Sequence, residues 1–262
     1  MSTQPLLQES TPGAAEVVIT PLPMDESLGL VTPLRNPELE EFNYFELPQE
    51  AQVALERIEY RAIHALPLLN NLREEFSEIF SSLIPALNAK DPQLYHHSLR
   101  VHTLAISFAT TTLHFSEAET LKVGLAAFFH DIGKMNISDA ILHKASGLTR
   151  QEYEIIKNHP AYGAEILSQF KLIKSVVPSL YHHHERIDGK GYPEGLRGNT
   201  IPLGARLIAI VDAFEVMTSQ RIYQKSRTPF QAIEELYANA RTQFDAELVE
   251  LFHTFFEISP YL

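Results

Sequence analysis

Apolar residues recur at alternating steps of three and four along most of this chain, which is the spacing of one face of an α-helix. The pattern is clear over residues 55–83 and again from residue 91 past residue 113. In the second segment His97 lies one turn before the apolar Val101, so we predict that its side chain faces the core. No strand-like alternation of apolar and polar residues appears, and the chain is therefore predicted to be all-α.

Residues 121–129 are almost wholly apolar and predict a buried helix that delivers His130-Asp131 at its end. Neighbouring residues of a helix point about 100° apart. His130 and Asp131 can therefore bind two neighbouring ions more easily than they can both bind one ion from the same side. We predict a carboxylate between two metals, and we expect Gly133-Lys134 to break the helix.

Thr149, with Glu152 three residues later, forms a capping-box pattern that predicts the start of a helix carrying His159. Residues 204–217 predict another helix, which is apolar on most sides and has Asp212 in its interior. A carboxylate in that setting needs a salt bridge, a cap or a metal, because burying it unpaired is costly.

Residues 188–195 are dense in turn formers and predict an ordered loop beside the run His182-His183-His184. The run could be a solvated patch at a helix end, but the apolar residues before it indicate that part of it faces inward. A lone inward histidine such as His97 is more often a hydrogen-bonded core residue than a ligand. The metal hypothesis therefore depends on the conjunction of these histidines and carboxylates.

The candidate donors are imidazoles and carboxylates in a chain without cysteine. That donor set suits iron, manganese, zinc or nickel, and it excludes both disulfides and a thiolate zinc site. We therefore predict a hydrolytic metal centre. The lack of cysteine also fits a reducing compartment.

The chain has 262 residues, of which 45% are hydrophobic, which is enough for one globular catalytic unit with a smaller appendage. Its 33 acidic and 21 basic residues give a net charge of −12, which argues against binding to a nucleic-acid polymer or an anionic membrane. The first 24 residues lack a basic leader, and no stretch approaches the roughly 20 apolar residues that a membrane helix needs. We expect a cytoplasmic protein without membrane insertion.

Three segments follow from the composition. Residues 1–45 are rich in Pro, Ser, Thr and Glu without a hydrophobic period, and they predict a flexible, disordered tail. Residues 46–89 predict a helical N-terminal neck. Residues 90–262 predict the helical body, which carries the candidate donors.

Many of these residues stand in longer motifs that occur in one order along the chain. The motifs are His97-Ser98-Leu99-Arg100-Val101, His130-Asp131-Ile132-Gly133-Lys134, His159-Pro160 with Gly163, His183-His184-Glu185-Arg186, Asp188-Gly189, Gly191-Tyr192-Pro193, Gly195-Leu196, Gly198, Ile201-Pro202, Asp212, Arg221 and Phe244-Asp245. Over about residues 90–255 this pattern resembles HD-GYP domains, the bacterial cyclic di-GMP phosphodiesterases of the HD superfamily. The resemblance implies an HD-domain helical bundle.

The resemblance also implies a set of metal ligands. One metal would be held by His97, His130, Asp131 and Asp212, and a second by His159, His183 and His184. Asp131 and a hydroxide would bridge the two ions. The ions implied are two divalent metals, iron or manganese.

Further residues are implied to act on the substrate. Lys134, catalytic together with Asp131, would contact the phosphate or the bridging water. Asp188 and Tyr192 lie in the predicted loop, from which Tyr192 would face a guanine or a phosphate. Arg221 would bind the other phosphate.

The chain departs from the family pattern at several positions that bear on these roles, among them Ile187, where an aromatic residue is common, and Ile222, where a proline is usual. Members with a third metal carry a Glu four residues before the first ligand histidine, and here Gln93 stands there, so we predict two metals. Glu215 stands where a second Asp is usual and keeps its charge. Gln224 replaces a usual basic residue, so Lys225 would supply that charge instead.

The reaction implied is hydrolysis of cyclic di-GMP to linear pGpG, cut further to GMP in some members. The alternative is a weak or inactive cyclic di-GMP receptor or adaptor that retains its metals. An HD phosphohydrolase acting on another nucleotide is disfavoured by the intact loop at residues 188–193. We also expect signalling-protein partners or a homodimer formed through the N-terminal helical region.

Overall fold

The computed structural model describes residues 70–171, 173–219 and 226–258, and in this part of the chain it is all-α without strands, as predicted. The α-helices of the described residues are α1 Asn70–Lys90, α2 Pro92–Thr111, α3 Glu117–Phe129, α4 Asp139–Leu142, α5 Arg150–Ile156, α6 His159–Ser168, α7 Val177–Tyr181, α8 Leu203–Thr218, α9 Pro229–Ala238 and α10 Ala246–Ile258. Two 3₁₀ helices, Ile132–Asn136 and Gly198–Thr200, lie between them. The predicted tail lies outside the described residues, as does the predicted neck before α1. No helix in the described ranges is long and apolar enough to cross a bilayer.

The core forms where α2 packs against both α3 and α8. On α2 the predicted inward residues Val101, Ala105 and Phe108 are fully buried, and His97 is buried beside them. Phe252 of α10 closes this core, because its ring packs edge-on against both Phe108 and Phe214 at 5.2 Å between centroids. The apolar period of α2 therefore places a histidine inside a dry core.

Polar side chains cap the starts of α2 and α5. The side chain of Asp91 accepts hydrogen bonds from the backbone of Gln93 and Leu94 at the start of α2. The predicted capping box of Thr149 and Glu152 begins α5 and is confirmed. Each cap satisfies helical N–H groups that would otherwise lack an acceptor.

Two predicted helix boundaries were wrong. α5 ends at Ile156, and His159 is instead the first residue of α6, because Pro160 lacks the N–H that a continuous helix would donate to the carbonyl of Ile156. α3 already ends at Phe129, so Gly133 does not break it but lies within a 3₁₀ helix.

Gly133 is needed for close backbone contact rather than for helix termination. A Cβ at this position would collide with the carbonyl oxygen of His159 and would lie 2.5 Å from the nitrogen of Gly163. The segment after Asp131 therefore packs directly on the backbone of α6. This contact brings two of the candidate donor segments together.

We expect Gly133→Ala to lower the free energy of unfolding by about 1–3 kcal/mol, because the added methyl meets backbone that cannot rotate away. Gly147→Ala is the matched control, since a Cβ there meets nothing within 4 Å. The control should change stability by less than about 0.5 kcal/mol. Urea unfolding of both variants measures the difference, and equal stabilities would contradict the proposed contact.

Candidate metal centre

The structure brings the predicted metal ligands together from separate elements. His97 lies on α2, Asp212 on α8, and His130 with Asp131 directly follows α3. His159 begins α6, and His183 and His184 follow α7. Their donor atoms form two groups, each with all atoms within 4.8 Å of one another: His97, His130 and Asp212 in one, and Asp131, His159, His183 and His184 in the other.

Backbone carbonyls fix the tautomers of three of these histidines. The Nδ1–H groups donate to the carbonyl three residues earlier: His130 to Ala127 at 2.7 Å, His159 to Ile156 at 2.8 Å and His183 to Leu180 at 2.5 Å. A carbonyl oxygen has no proton to give, so Nδ1 must be the donor. In each neutral ring Nε2 is therefore left with a lone pair.

These lone pairs converge in the second group. The Nε2 atoms of His159 and His183 lie 3.3 Å apart. Oδ1 of Asp131 lies 3.1 Å from Nε2 of His159 and is buried without a hydrogen-bond donor. Three electron-rich atoms thus face one another in a buried space, which is unfavourable unless a cation lies among them. The residues present therefore fit a divalent metal.

Burial and neighbouring charges keep three residues of the second group in the form that a metal requires. Burial lowers the pKa of His183 well below its usual range, and neighbouring histidines lower it further. Burial likewise lowers the pKa of His184, to about 3. Burial opposes ionisation of Asp131, but the nearby Lys134 and His130 outweigh it and hold its pKa well below the ordinary value. His183 and His184 are therefore neutral imidazoles and Asp131 is a carboxylate at neutral pH.

Asp131 lies between the two groups. Its Oδ1 faces His159, whereas its Oδ2 lies 3.3 Å from Nε2 of His130 and 3.7 Å from Nε2 of His97. This is the placement that a carboxylate shared by two cations needs. The role of Asp131 as a bridging ligand remains a prediction.

The first group contains a proton that a metal must displace. Burial lowers the pKa of His97, but its bonds to the carboxylates of Asp212 and Glu215 outweigh this effect and raise the pKa to about 9. Nε2 of the charged ring faces Oδ1 of Asp212 at 3.1 Å. Because imidazole binds metals in its neutral form, occupation of this group releases a proton.

Sequence reasoning gave Glu215 no role, yet it directly contacts a candidate ligand. It is 2% exposed and accepts a 2.6 Å hydrogen bond from Nδ1 of His97. Burial raises the pKa of Glu215, but its bonds to His97, Ser219 and Arg100 prevail and lower it to about 2. Its position one helical turn after Asp212 was the available signal, because residues three apart share a helix face.

The predicted loop lies against the histidine run. Oε1 of the buried Glu185 accepts hydrogen bonds from the backbone of Glu194 and Gly195. Gly191 packs on the chain at His184, where a Cβ would lie 2.6 Å from the carbonyl oxygen. The loop is thereby ordered, and its attachment depends on a buried carboxylate and a glycine.

Tyr192 stacks on His184 with 4.8 Å between ring centroids. The ammonium group of Lys157 lies 5.4 Å from the centroid of Tyr192, a cation–π contact that sequence reasoning did not identify. An aromatic ring and a cation therefore lie directly beside the second donor group.

Other predicted substrate residues are placed as follows. Nζ of Lys134 lies 2.5 Å from Oδ2 of Asp131. Both carboxylate oxygens of Asp188 accept 3.1 Å hydrogen bonds from Arg186, so this side chain is engaged within the loop. Arg221 and Lys225 lie outside the described residues.

The base of the loop is tied to the segment before α10. The backbone N–H of Ile187 donates to the carbonyl of Gln243 at 3.3 Å, and that of Asp188 donates to Thr242 at 2.9 Å. Arg186 adds a side-chain bond to Gln243 at 2.9 Å. The loop is therefore held from both the histidine side and the C-terminal side.

Comparisons with known proteins agree with this architecture. The HD domain family model matches residues 81–248. The cyclic di-GMP phosphodiesterase response regulator RpfG of Xanthomonas campestris pv. campestris is 34% identical over 225 residues, which cover 84% of this chain and 59% of that protein. The 3′3′-cGAMP-specific phosphodiesterase 2 of Vibrio cholerae is 36% identical over 186 residues, which cover 70% of this chain and 35% of that protein.

A solved structure shares the fold. Bd1817, an HDG"Y"P protein from Bdellovibrio bacteriovorus, is similar with a TM-score of 0.56 at 18% identity, over 79% of this chain and 72% of that chain. This likeness confirms the predicted HD-type helical fold. The chain spans 59% and 35% of the two curated relatives, so it corresponds to only part of each.

We expect His183→Gln to bind fewer manganese ions per chain than the wild type, because glutamine cannot supply the Nε2 lone pair. His182→Gln is the matched control: His182 adjoins His183 but lies outside both donor groups, with its Nδ1 bonded to the carbonyl of Pro178. Manganese content after equilibrium dialysis, measured by mass spectrometry, separates the two variants. A loss of metal in both would argue against the assignment of His183.

Proposed function

This chain belongs to the HD domain family, and from that premise we propose that it is a metal-dependent phosphodiesterase that hydrolyses cyclic di-GMP to linear pGpG. The observation that carries the proposal is the convergence of imidazole and carboxylate donors in two adjacent groups around Asp131, which suits two adjacent cations. Two curated relatives, named for cyclic di-GMP and for 3′3′-cGAMP, support cyclic dinucleotides as the substrate class. We propose pGpG as the main product, with further cleavage to GMP as a slower step.

The two donor groups would hold two divalent ions, for which we propose iron or manganese. Asp131 would contribute Oδ2 to the His97 group and Oδ1 to the His159 group. When bound, such a pair supplies Lewis acidity toward the phosphodiester and toward water. The chain contributes a largely buried set of donors, and buried hydrogen bonds already set the orientations of three of the rings.

Lys134 provides a positive charge at the edge of the site. Its side chain is 23% exposed while its ammonium group touches Asp131, so it can reach a substrate anion without leaving the donor group. A charge-assisted hydrogen bond to a non-bridging phosphate oxygen would stabilise the charge that develops there during hydrolysis. We therefore propose Lys134 as the phosphate-binding catalytic residue.

The loop would position the nucleotide. Tyr192 offers a flat ring beside the donors, suited to a guanine face or a phosphate, and Asp188 would act by holding the loop through Arg186. Arg221 and Lys225 would bind the second phosphate. Two phosphates on opposite sides of a cyclic dinucleotide need two cationic groups, which is the reason for this division of roles.

We further propose a cytoplasmic enzyme in which residues 90–262 form the catalytic domain. Residues 46–89, after the tail at 1–45, would mediate homodimerisation or contact with signalling partners. A receptor for cyclic di-GMP that retains its metals is the competing function, and the assay below distinguishes the two.

We expect protein purified without oxygen and loaded with manganese or iron to convert cyclic di-GMP to pGpG. Asp131→Asn should abolish turnover, because the amide cannot supply two anionic oxygens, whereas His182→Gln should retain it. Chromatography of the products, with 3′3′-cGAMP assayed in parallel, checks the substrate. Tight binding of cyclic di-GMP without product would establish the receptor function instead. Exclusive cleavage of 3′3′-cGAMP would show that this dinucleotide, and not cyclic di-GMP, is the substrate.

Lys134→Met should lower kcat/KM for cyclic di-GMP by about 100-fold, because one preorganised charged donor to the phosphate is lost. The methionine preserves most of the aliphatic stem, so helix packing should persist. Steady-state kinetics measure the effect, and metal content serves as the control. An unchanged kcat/KM would remove Lys134 from the proposed mechanism.

A further inference from the structure

His97 differs from the other histidines whose Nδ1 partners are described around Asp131. The Nδ1 groups of His130, His159 and His183 donate to neutral backbone carbonyls of their own segment. Nδ1 of His97 donates instead to a carboxylate on another helix, Oε2 of Glu215, at 2.6 Å. The two donor groups therefore receive different electrostatic support.

Glu215 is built into this position by further contacts. Nε of Arg100 and Oγ of Ser219 each donate to its Oε1 at 2.5 Å. The two oxygens therefore have different partners. Oε1 is bound by Arg100 of α2 and by Ser219 at the end of α8, whereas Oε2 accepts the hydrogen bond from His97. A carboxylate with only 2% exposure and three donors is fixed in place rather than free to solvate.

The length of the side chain suits this contact. The family pattern usually has Asp at position 215, which is shorter by one C–C bond, roughly 1.5 Å. From the same backbone position, an aspartate oxygen would stop roughly 4 Å from Nδ1 of His97, beyond hydrogen-bond distance. In this chain the glutamate therefore makes a contact that the shorter acid would not make without movement of α8.

We infer that Glu215 is a positioning residue that sets the cation affinity of the His97–His130–Asp212 group and leaves that of the Asp131–His159–His183–His184 group nearly unchanged. A carboxylate bonded to Nδ1 makes Nε2 a stronger donor to a cation and fixes the plane of the ring. This inference rests on the metal binding in the proposed function. It adds that the two cation sites are unequal and respond separately to substitution.

The experiment is a titration of the metal-free chain with Mn²⁺, in which calorimetry measures the heat of binding. Glu215→Gln keeps the size of the side chain but removes its charge, and Glu215→Asp keeps the charge but shortens the reach. Each substitution should lower the affinity for one of the two Mn²⁺ ions by about 10–100-fold and leave the affinity for the other unchanged. Ser219→Ala is the matched control, because it removes a donor to Glu215 and leaves the bond to His97; its two affinities should stay close to those of the wild type.

A second background identifies the ion that is affected. In His97→Gln, which already lacks the ring, Glu215→Gln should cause no further change in Mn²⁺ affinity. Equal weakening of both ions, wild-type affinities in Glu215→Gln, or an added loss in the His97→Gln background would each overturn the inference. If Glu215→Gln fails to fold by circular dichroism, Glu215→Asp tests the same contact.

The outcome is separable from that of the proposed activity. A wild-type chain that binds two Mn²⁺ ions with the expected dependence on Glu215, yet cleaves no cyclic dinucleotide, would uphold the inference and reject the proposed hydrolysis. A chain that cleaves cyclic di-GMP while Glu215→Gln binds both ions normally would do the opposite.

Discussion

The candidate centre depends on hydrogen bonds in which no cation takes part. The Nδ1–H groups of three histidines donate hydrogen bonds to backbone carbonyls. In each neutral ring this leaves Nε2 as the only nitrogen that can bind a metal. Without these bonds the rings could change tautomer or rotate, and the lone pairs would no longer meet. The cost of bringing them together in a dry space is met by helix packing, and a bound cation would relieve it.

Packing at glycine makes this convergence possible. The donors come from helices far apart in sequence, so their backbones must approach closely at a few points. Gly133 lies against the start of α6, and Gly191 lies against the chain at His184. Side chains at these positions would separate the segments by more than the tolerance of a coordination shell. The two glycines are therefore constraints on the site rather than simple turn residues.

Much of this architecture could be predicted from the sequence, and the errors have physical causes. Hydrophobic period gave the course of α2, α3 and α8 and the inward face of His97, because helical burial repeats every 3.6 residues. The end of α5 was misplaced, because Pro160 lacks the N–H that a continuous helix would donate to the carbonyl of Ile156. The role of Glu215 was not predicted, because it depends on hydrogen bonds to residues of α2, which lie more than 100 residues earlier in the chain. Pairings of that kind depend on how helices cross, which local patterns do not encode.

The attachment of the loop at residues 188–195 links two distant parts of the fold. Its base shares backbone hydrogen bonds with Thr242 and Gln243, just ahead of α10, while its tip rests on His184. The segment just before α10 thus supports the loop that carries Tyr192, while Phe252 of α10 packs in the core. A displacement of Thr242 and Gln243 would therefore be passed through the loop to Tyr192, whose ring stacks on the candidate ligand His184. The segment before α10 and the candidate donor group are thus connected through one loop.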